Sequence, residues 1–129
     1  MHNKPIAAFM TRVAYQIGHD TSVVDAHHRM QELGVRHLPV MKGSKLVGIV
    51  SERDLASLVA ISDEHPSQLQ VANAMTENPY IASSSTPIAE VARAMADHKY
   101  GAVVIVDDGD VQGIFTTTDG MRVLADLLS

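Results

Sequence analysis

Residues 48–54 read GIVSERD and residues 113–119 read GIFTTTD. Glycine, isoleucine, a hydrophobe, a hydroxyl residue, two variable positions and aspartate are thus written twice, 65 positions apart. Two readings fit. A hydroxyl residue followed three positions later by an acid, ahead of an apolar helix, is the capping-box arrangement, in which side chains and backbone at a helix start satisfy each other. The same residues can instead hold a ligand. Glycine inside a strand weakens it unless something approaches the backbone closely. A hydroxyl where strand turns into helix stands beside unpaired helical N–H groups that suit a phosphate. An aspartate one turn further on returns to the same side, where it can accept hydrogen bonds from both hydroxyls of a ribose.

Sliding the chain by 65 positions superposes Met10-Thr11 on Met75-Thr76, Tyr15 on Tyr80, Thr21 on Thr86, Met30 on Met95 and Asp54 on Asp119 without a gap. Hydrophobic class and turn positions coincide as well, which marks an internal duplication. A hydroxyl residue precedes the first helix of each copy: Thr21 before Ser22-Val23, and Thr86 before Pro87-Ile88, with Pro87 suited to the first helical position. Apolar residues then recur at helical spacing, as Val23, Ala26, Met30 and Leu33, and as Ile88, Val91 or Ala92, and Met95. Paired apolar runs follow, HLPVM and LVGIV around KGSK, then AVVIV and VQGIF around DDGD, each predicting a β-hairpin. A second helix comes directly after, with Leu55, Leu58, Val59 and Ser62 on one stripe in the first copy, and Met121, Leu124, Leu127 and Leu128 in the second. Extended pieces at Ala14 to Ile17 and Tyr80 to Ala82 precede the first helices.

The expected unit is β-α-β-β-α, written at 1–62 and 68–129 with a polar linker at 63–67. Units of about 60 residues bury too little surface to stand alone. The copies are therefore expected to pack sheet to sheet about a pseudo-twofold axis as one α/β domain.

Composition narrows the function classes. The 129 residues contain no cysteine, hence no disulfide framework, thiolate nucleophile or cysteine-based zinc site. The longest strongly apolar run, Ala102 to Val106, is far short of a membrane span, and MHNKPIAAFM lacks the features of a secretory signal. A cytoplasmic chain without membrane contact is expected. A formal net charge of −5 argues against a nucleic-acid partner, and the spare positive charge lies in the first half, in residues such as Arg36, Lys45 and Arg53. His27 and His28 are helix neighbours about 100° apart, and no histidine–carboxylate spacing forms a metal site. No nucleophile has an evident base and no Gly-rich phosphate loop precedes Lys and Ser or Thr. Neither catalysis nor a catalytic cofactor is expected.

Two units closing on G-h-h-[ST]-x-x-D, Met-Thr entries at 10–11 and 75–76, and VRHLPV at 35–40 leading into GSKLVGIVSERDL carry a resemblance. The chain resembles the tandem CBS domain pair, or Bateman module, over nearly its whole length. The resemblance implies a regulatory module with a cleft between the repeats that holds adenosine-containing ligands such as AMP, ADP, ATP, NAD or S-adenosylmethionine. It also implies homodimers, with the regulated partner being another chain or the module's own dimer. Asp54 and Asp119 would take ribose hydroxyls beside Ser51 and Thr116. Arg36 and His37, with Gly101 and Ala102 at the equivalent places, would face phosphates, helped by Arg53 and Lys45; Thr118 replaces Arg53 in the second copy. Tyr15, Gln16 and Ile17, with Tyr80, Ile81 and Ala82, would meet the adenine partly through backbone groups, and Leu38-Pro39 and Val103-Val104 would close its other face. Ile17 and Val103 read more readily as plain core, because apolar strand residues usually are. Gly120 in place of Leu55 weakens the second helix start and makes the second site degenerate or limited to an adenosine moiety. His37 and His98 are candidate pH-sensitive groups near the cleft. The alternative is a ligand-free dimeric adaptor in which both motifs only cap helices.

Overall fold

The computed structural model describes residues 3–12 and 15–129. Ala14, part of the first expected extended piece, lies outside the described residues. The elements are β1 (Thr11–Arg12), β2 (Ile17–Gly18), α1 (Val23–Leu33), β3 (His37–Lys42), β4 (Lys45–Ser51), α2 (Glu52–Ile61), β5 (Thr76–Glu77), β6 (Ile81–Ala82), α3 (Ile88–His98), β7 (Ala102–Asp107), β8 (Asp110–Thr116) and α4 (Thr117–Leu128), with single 3-10 turns at Ile6–Ala8, Pro66–Gln68 and Val71–Asn73.

The chain forms two compact units that cut across the sequence repeats. One comprises residues 15–79, the other residues 1–14 together with 80–129. In the first, the four strands run in the order β2-β3-β4-β5; in the second the order is β1-β8-β7-β6. Each hairpin has a parallel strand from its own repeat on one edge, with Ile17 opposite Val40 and Ile81 opposite Val104. The other edge carries an antiparallel strand from the segment that leads into the other repeat: β5 places Thr76 opposite Ile49, and β1 places Thr11 opposite Ile114.

The glycines explain this exchange. A Cβ at Gly48 would lie 2.8 Å from the Thr76 carbonyl oxygen and 2.6 Å from the Met75 sulfur; at Gly113 it would lie 2.5 Å from the Thr11 carbonyl oxygen and 3.0 Å from the Met10 sulfur. The close approach inferred from the sequence is real, but what approaches is the neighbouring strand and a methionine rather than a ligand. The Met-Thr entries and the strand glycines are thus two halves of one packing feature. Each unit is clamped again at its first helix. Val23 N–H donates to the Leu69 carbonyl and Val71 N–H to that of Thr21. In the other unit Ile88 N–H donates to Lys4 and Ile6 N–H to Thr86.

Side-chain alternation sorts each hairpin into two faces. Leu38, Val40 and Val50 join Val23, Ala26 and Met30 of α1 and Leu55 of α2 in one core, with Leu69 and Val71 beneath. Val103, Ile105 and Phe115 join Ile88, Val91 and Met95 of α3 in the other, with Ile6 beneath. Val91, not Ala92, is the core-facing member of α3. Fully burying each aliphatic side chain of this size stabilises by about 1.5–3 kcal/mol. Pro39, Ile49, Val104 and Ile114, on the opposite faces, are buried as well.

Local chemistry departs from the sequence reading in three places. Ser22, not Thr21, caps α1, accepting the Asp25 N–H at 3.1 Å. Pro87 is itself the cap residue of α3, one position before the expected first helical place, while Thr86 turns back to accept the Ser83 N–H. The stripe read on α4 does not face the core: Met121, Leu124, Leu127 and Leu128 are all exposed, and half-buried Val123 packs against the core instead. The two-residue turn Asp108-Gly109, both at positive φ, matches the twist of its hairpin.

Candidate functional site

Parallel pairing sets Ile17 opposite Val40, so that Gln16 and Tyr15, just before β2, lie toward the end from which β3 starts, and the antiparallel hairpin sets His37 opposite Ser51. Tyr15, Gln16, Arg36, His37, Ser51 and Asp54 therefore gather at one edge of the first sheet. The junction is locked by the Glu52 N–H, which donates to the Arg36 carbonyl at 2.9 Å. There the Asp54 N–H donates to Ser51 Oγ at 3.0 Å, and the Ser51 N–H donates to Asp54 Oδ2 at 3.0 Å. This is a complete capping box. Asp54 is half-buried, and among the described residues its Oδ1 receives no hydrogen bond. Arg36 and Arg53 are exposed, and the Arg29 guanidinium lies over the half-exposed Tyr15 ring at 5.5 Å.

The second unit repeats the layout. Ala102 stands opposite Thr116, and the Thr117 N–H donates to the Gly101 carbonyl at 3.1 Å. Thr116 and Asp119 form the same capping box, with N–H to Oδ2 at 2.9 Å and the return bond at 3.2 Å. The surroundings differ. Asp119 is buried, Thr116 Oγ1 donates to Oδ2 at 3.1 Å, and Thr11 Oγ1 donates to Oδ1 at 3.1 Å. The exposed Arg122 guanidinium lies 3.6 Å from Oδ1. Both oxygens of Asp119 thus already accept hydrogen bonds within the protein, whereas among the described residues Asp54 Oδ1 accepts none.

Tyr80 stacks on Tyr100 at 5.3 Å, and Tyr100 on His98 at 5.2 Å. The Tyr80 carbonyl accepts the Val104 N–H. Ile81 is exposed, as are Gly101 and Thr118. Gly120 sits against the Phe115 ring, and α4 forms its capped start without the leucine found at 55.

Several sequence-selected residues present little side chain at these edges. Ile17 and Leu38 belong to the first core, Ala82 and Val103 to the second. Only their backbone groups remain for a ligand. Pro39 is buried on the face opposite Leu38. Lys45 is misassigned by the sequence reading: it opens β4 while Ser51 closes it, and six residue steps of about 3.3 Å put the two roughly 20 Å apart. Thr11 and Arg122 escaped the sequence reading, although the doubled Met-Thr entry signalled the first. Among the described residues no three His, Asp or Glu side chains cluster as metal ligands, and no helix is long and apolar enough to cross a membrane.

One α/β unit written twice, whose copies exchange their leading strands and end their hairpins in matching hydroxyl–carboxylate boxes, defines a tandem-repeat α/β module. The family model for the CBS domain matches at residues 6–61 and again at 71–126, and the chain belongs to that family as a tandem pair. It is 32% identical to the uncharacterized protein YlbB of Bacillus subtilis over 100 residues, 76% of this chain and 67% of that protein. It spans no more than 40% of the length of further curated relatives that it matches. Among solved structures, CBSX2 in complex with AMP, a CBS-pair protein from Arabidopsis thaliana, shares 30% identity with a TM-score of 0.77, covering 98% of this chain and 99% of that one. The CBS domain pair of MJ0100, in complex with 5-methylthioadenosine and S-adenosyl-L-methionine, shares 25% identity with a TM-score of 0.80, covering 95% and 97%.

Proposed function

We propose that the chain is a regulatory sensor that binds an adenosine-containing ligand and signals through a homodimer or a protein partner in the cytoplasm. The observation that carries this is Asp54 Oδ1, which accepts no hydrogen bond among the described residues and is held by its capping box beside the Ser51 hydroxyl and two exposed arginines. A fixed carboxylate oxygen accepts ribose hydroxyls without further ordering cost, and Arg36 and Arg53 supply the charge that a phosphate tail needs. His37 stands at the same edge, and Tyr15, Gln16, Ile17, Leu38 and Pro39 would frame the base, the buried ones through backbone groups. The equivalent set, Tyr80, Ile81, Ala82, Gly101, Ala102, Val103, Thr116, Thr118 and Asp119, would serve an uncharged adenosine moiety, since Gly101, Ala102 and Thr118 bring no cation. The complexes of CBSX2 with AMP and of MJ0100 with S-adenosyl-L-methionine support this class of ligand.

Homodimerisation would use α3 and α4. Exposed Met121, Leu124 and Leu127 border an open apolar groove of about 600 Å³, and a second copy would bury it. Ligand occupancy would then act through its different affinity for two arrangements of the dimer. The completed capping boxes favour a second reading, a ligand-free adaptor in which Asp54 and Asp119 only start helices. Thermal-shift titration with AMP, ATP, NAD and S-adenosylmethionine separates the two. A sensor gains saturable stabilisation from at least one of them, because a ligand that binds only the folded chain raises its stability by mass action. An adaptor gains none.

A further inference from the structure

The end of the first hairpin remote from Asp54 holds a second set of charged groups. Lys42 and Lys45 are register partners across the turn, and like charges placed directly opposite on paired strands repel. Among the described residues neither forms an ion pair. Both line an open cavity of about 320 Å³. His19 enters it from the loop after β2, a loop tied down by the His19 N–H donating to the Met41 carbonyl at 2.8 Å and by the Ala72 N–H donating to the His19 carbonyl at 2.9 Å. Asn78, at φ 50°, adds an amide, and Glu77 is the one carboxylate in the lining. Half-buried Leu46, Val47 and Met75 form the apolar wall.

The equivalent corner of the second unit has the opposite charge. Lys42, Lys45 and Glu77 correspond to Asp107, Asp110 and Arg12, and His19 to Ser84. That corner carries its own anion: Asp107 accepts the Ser84 N–H at 3.0 Å, and hydrogen bonds from the Ser84 hydroxyl and then its backbone hold the acid below the usual carboxylate value. The first unit instead carries two ammonium groups there, around an open cavity.

We infer that the corner formed by Lys42, Lys45, His19 and Asn78 is a binding site for a small phosphate-bearing solute, separate from the Ser51–Asp54 edge and independent of what binds there. Two lysines are point charges that attract an oxyanion without fixing its orientation, and bound phosphate relieves their mutual repulsion. The Met75 wall suits a short carbon body on the phosphate.

Titrating inorganic phosphate into the full chain, against potassium chloride at matched ionic strength, tests this by amide NMR. Saturable shifts are expected at residues 19, 42–47 and 75–78. Lys42→Gln/Lys45→Gln is expected to weaken them about tenfold, whereas Lys42→Arg/Lys45→Arg and Asp54→Asn keep them. Shifts that chloride reproduces, that survive in the glutamine variant, or that appear only at residues 36–37 and 51–54 would overturn the proposal. So would shifts of these same amides on concentrating the phosphate-free protein, abolished by Asp107→Asn/Asp110→Asn; that result assigns the basic corner to the acidic turn of a second copy.

Discussion

Replacing each motif aspartate by alanine should cost unequal amounts, although the motif is written alike in both repeats. Asp54→Ala removes one acceptor from the Ser51 N–H and leaves the half-exposed junction open to water, a capping loss of about 1 kcal/mol. Asp119→Ala removes the equivalent bond and, in addition, the acceptor of Thr11 Oγ1 and of Thr116 Oγ1, from a residue that is 7% exposed. A hydrogen bond to a charged acceptor contributes about 1.5–3 kcal/mol. Thr11 is exposed and regains part of this from water, so the extra cost is set at about 1–2 kcal/mol. Arg122 is 74% exposed and adds little. Urea denaturation of the two variants should place Asp119→Ala below Asp54→Ala by about 1–2 kcal/mol. A double-mutant cycle of Thr11→Val with Asp119→Ala should return a coupling of about 1 kcal/mol. Equal losses, or additive behaviour in the cycle, would refute the reasoning that Thr11 ties the leading strand to the Asp119 box.

Three further outcomes follow from the geometry. Gly113→Ala and Gly48→Ala should each destabilise by at least about 1–3 kcal/mol in the same urea assay. Gly113→Ala should cost more, because its new Cβ meets backbone at 2.5 Å, while at Gly48 the nearest atom is the movable Met75 sulfur. Asp107 has its carboxyl lowered in the folded state by Ser84, so its contribution is present above the unfolded value near 3.9 and is lost as pH falls through the lower folded value. Denaturation midpoints of the wild type and Asp107→Asn should therefore differ more at pH 7 than at pH 3. If the proposed dimer forms through the exposed groove of α4, Leu124→Glu should shift sedimentation velocity from dimer to monomer without lowering helix content; a monomeric wild type, or an unchanged coefficient in the variant, would contradict that interface.

The two hairpins were legible as continuous apolar runs on either side of a polar turn, and the core faces of α1 and α3 because 3.6-residue spacing is strong over eleven residues. The exchange of leading strands was not. β1 and β5 have only two residues each, too short for any period, and their partners are fixed by missing Cβ atoms at Gly113 and Gly48, which the sequence reading had set aside for a ligand. On α4, apolar residues occur on more than one side, so spacing alone could not tell the core contact Val123 from the outward Met121 and Leu124. For the site, the motif placed both acids at their helix starts correctly, and pairing brought Tyr15, Arg36 and Ser51 to one edge. Nothing in the motif separated Asp54 from Asp119; that difference comes from Thr11, more than a hundred residues away in sequence. The sequence groups Lys45 with Arg53 only as a cation of the first half, but an extended strand carries it to the end remote from Ser51.

Calorimetric titration of AMP and of S-adenosylmethionine into the wild type and Asp54→Asn is the sharpest probe of whether that carboxylate receives a sugar. Asparagine keeps one acceptor oxygen for the Ser51 N–H but forfeits the charged partner of the ribose hydroxyls, so a saturable heat in the wild type should weaken by about tenfold or more in the variant. Equal affinity in the two proteins, or no saturable heat from either compound, would leave Asp54 as a helix cap alone.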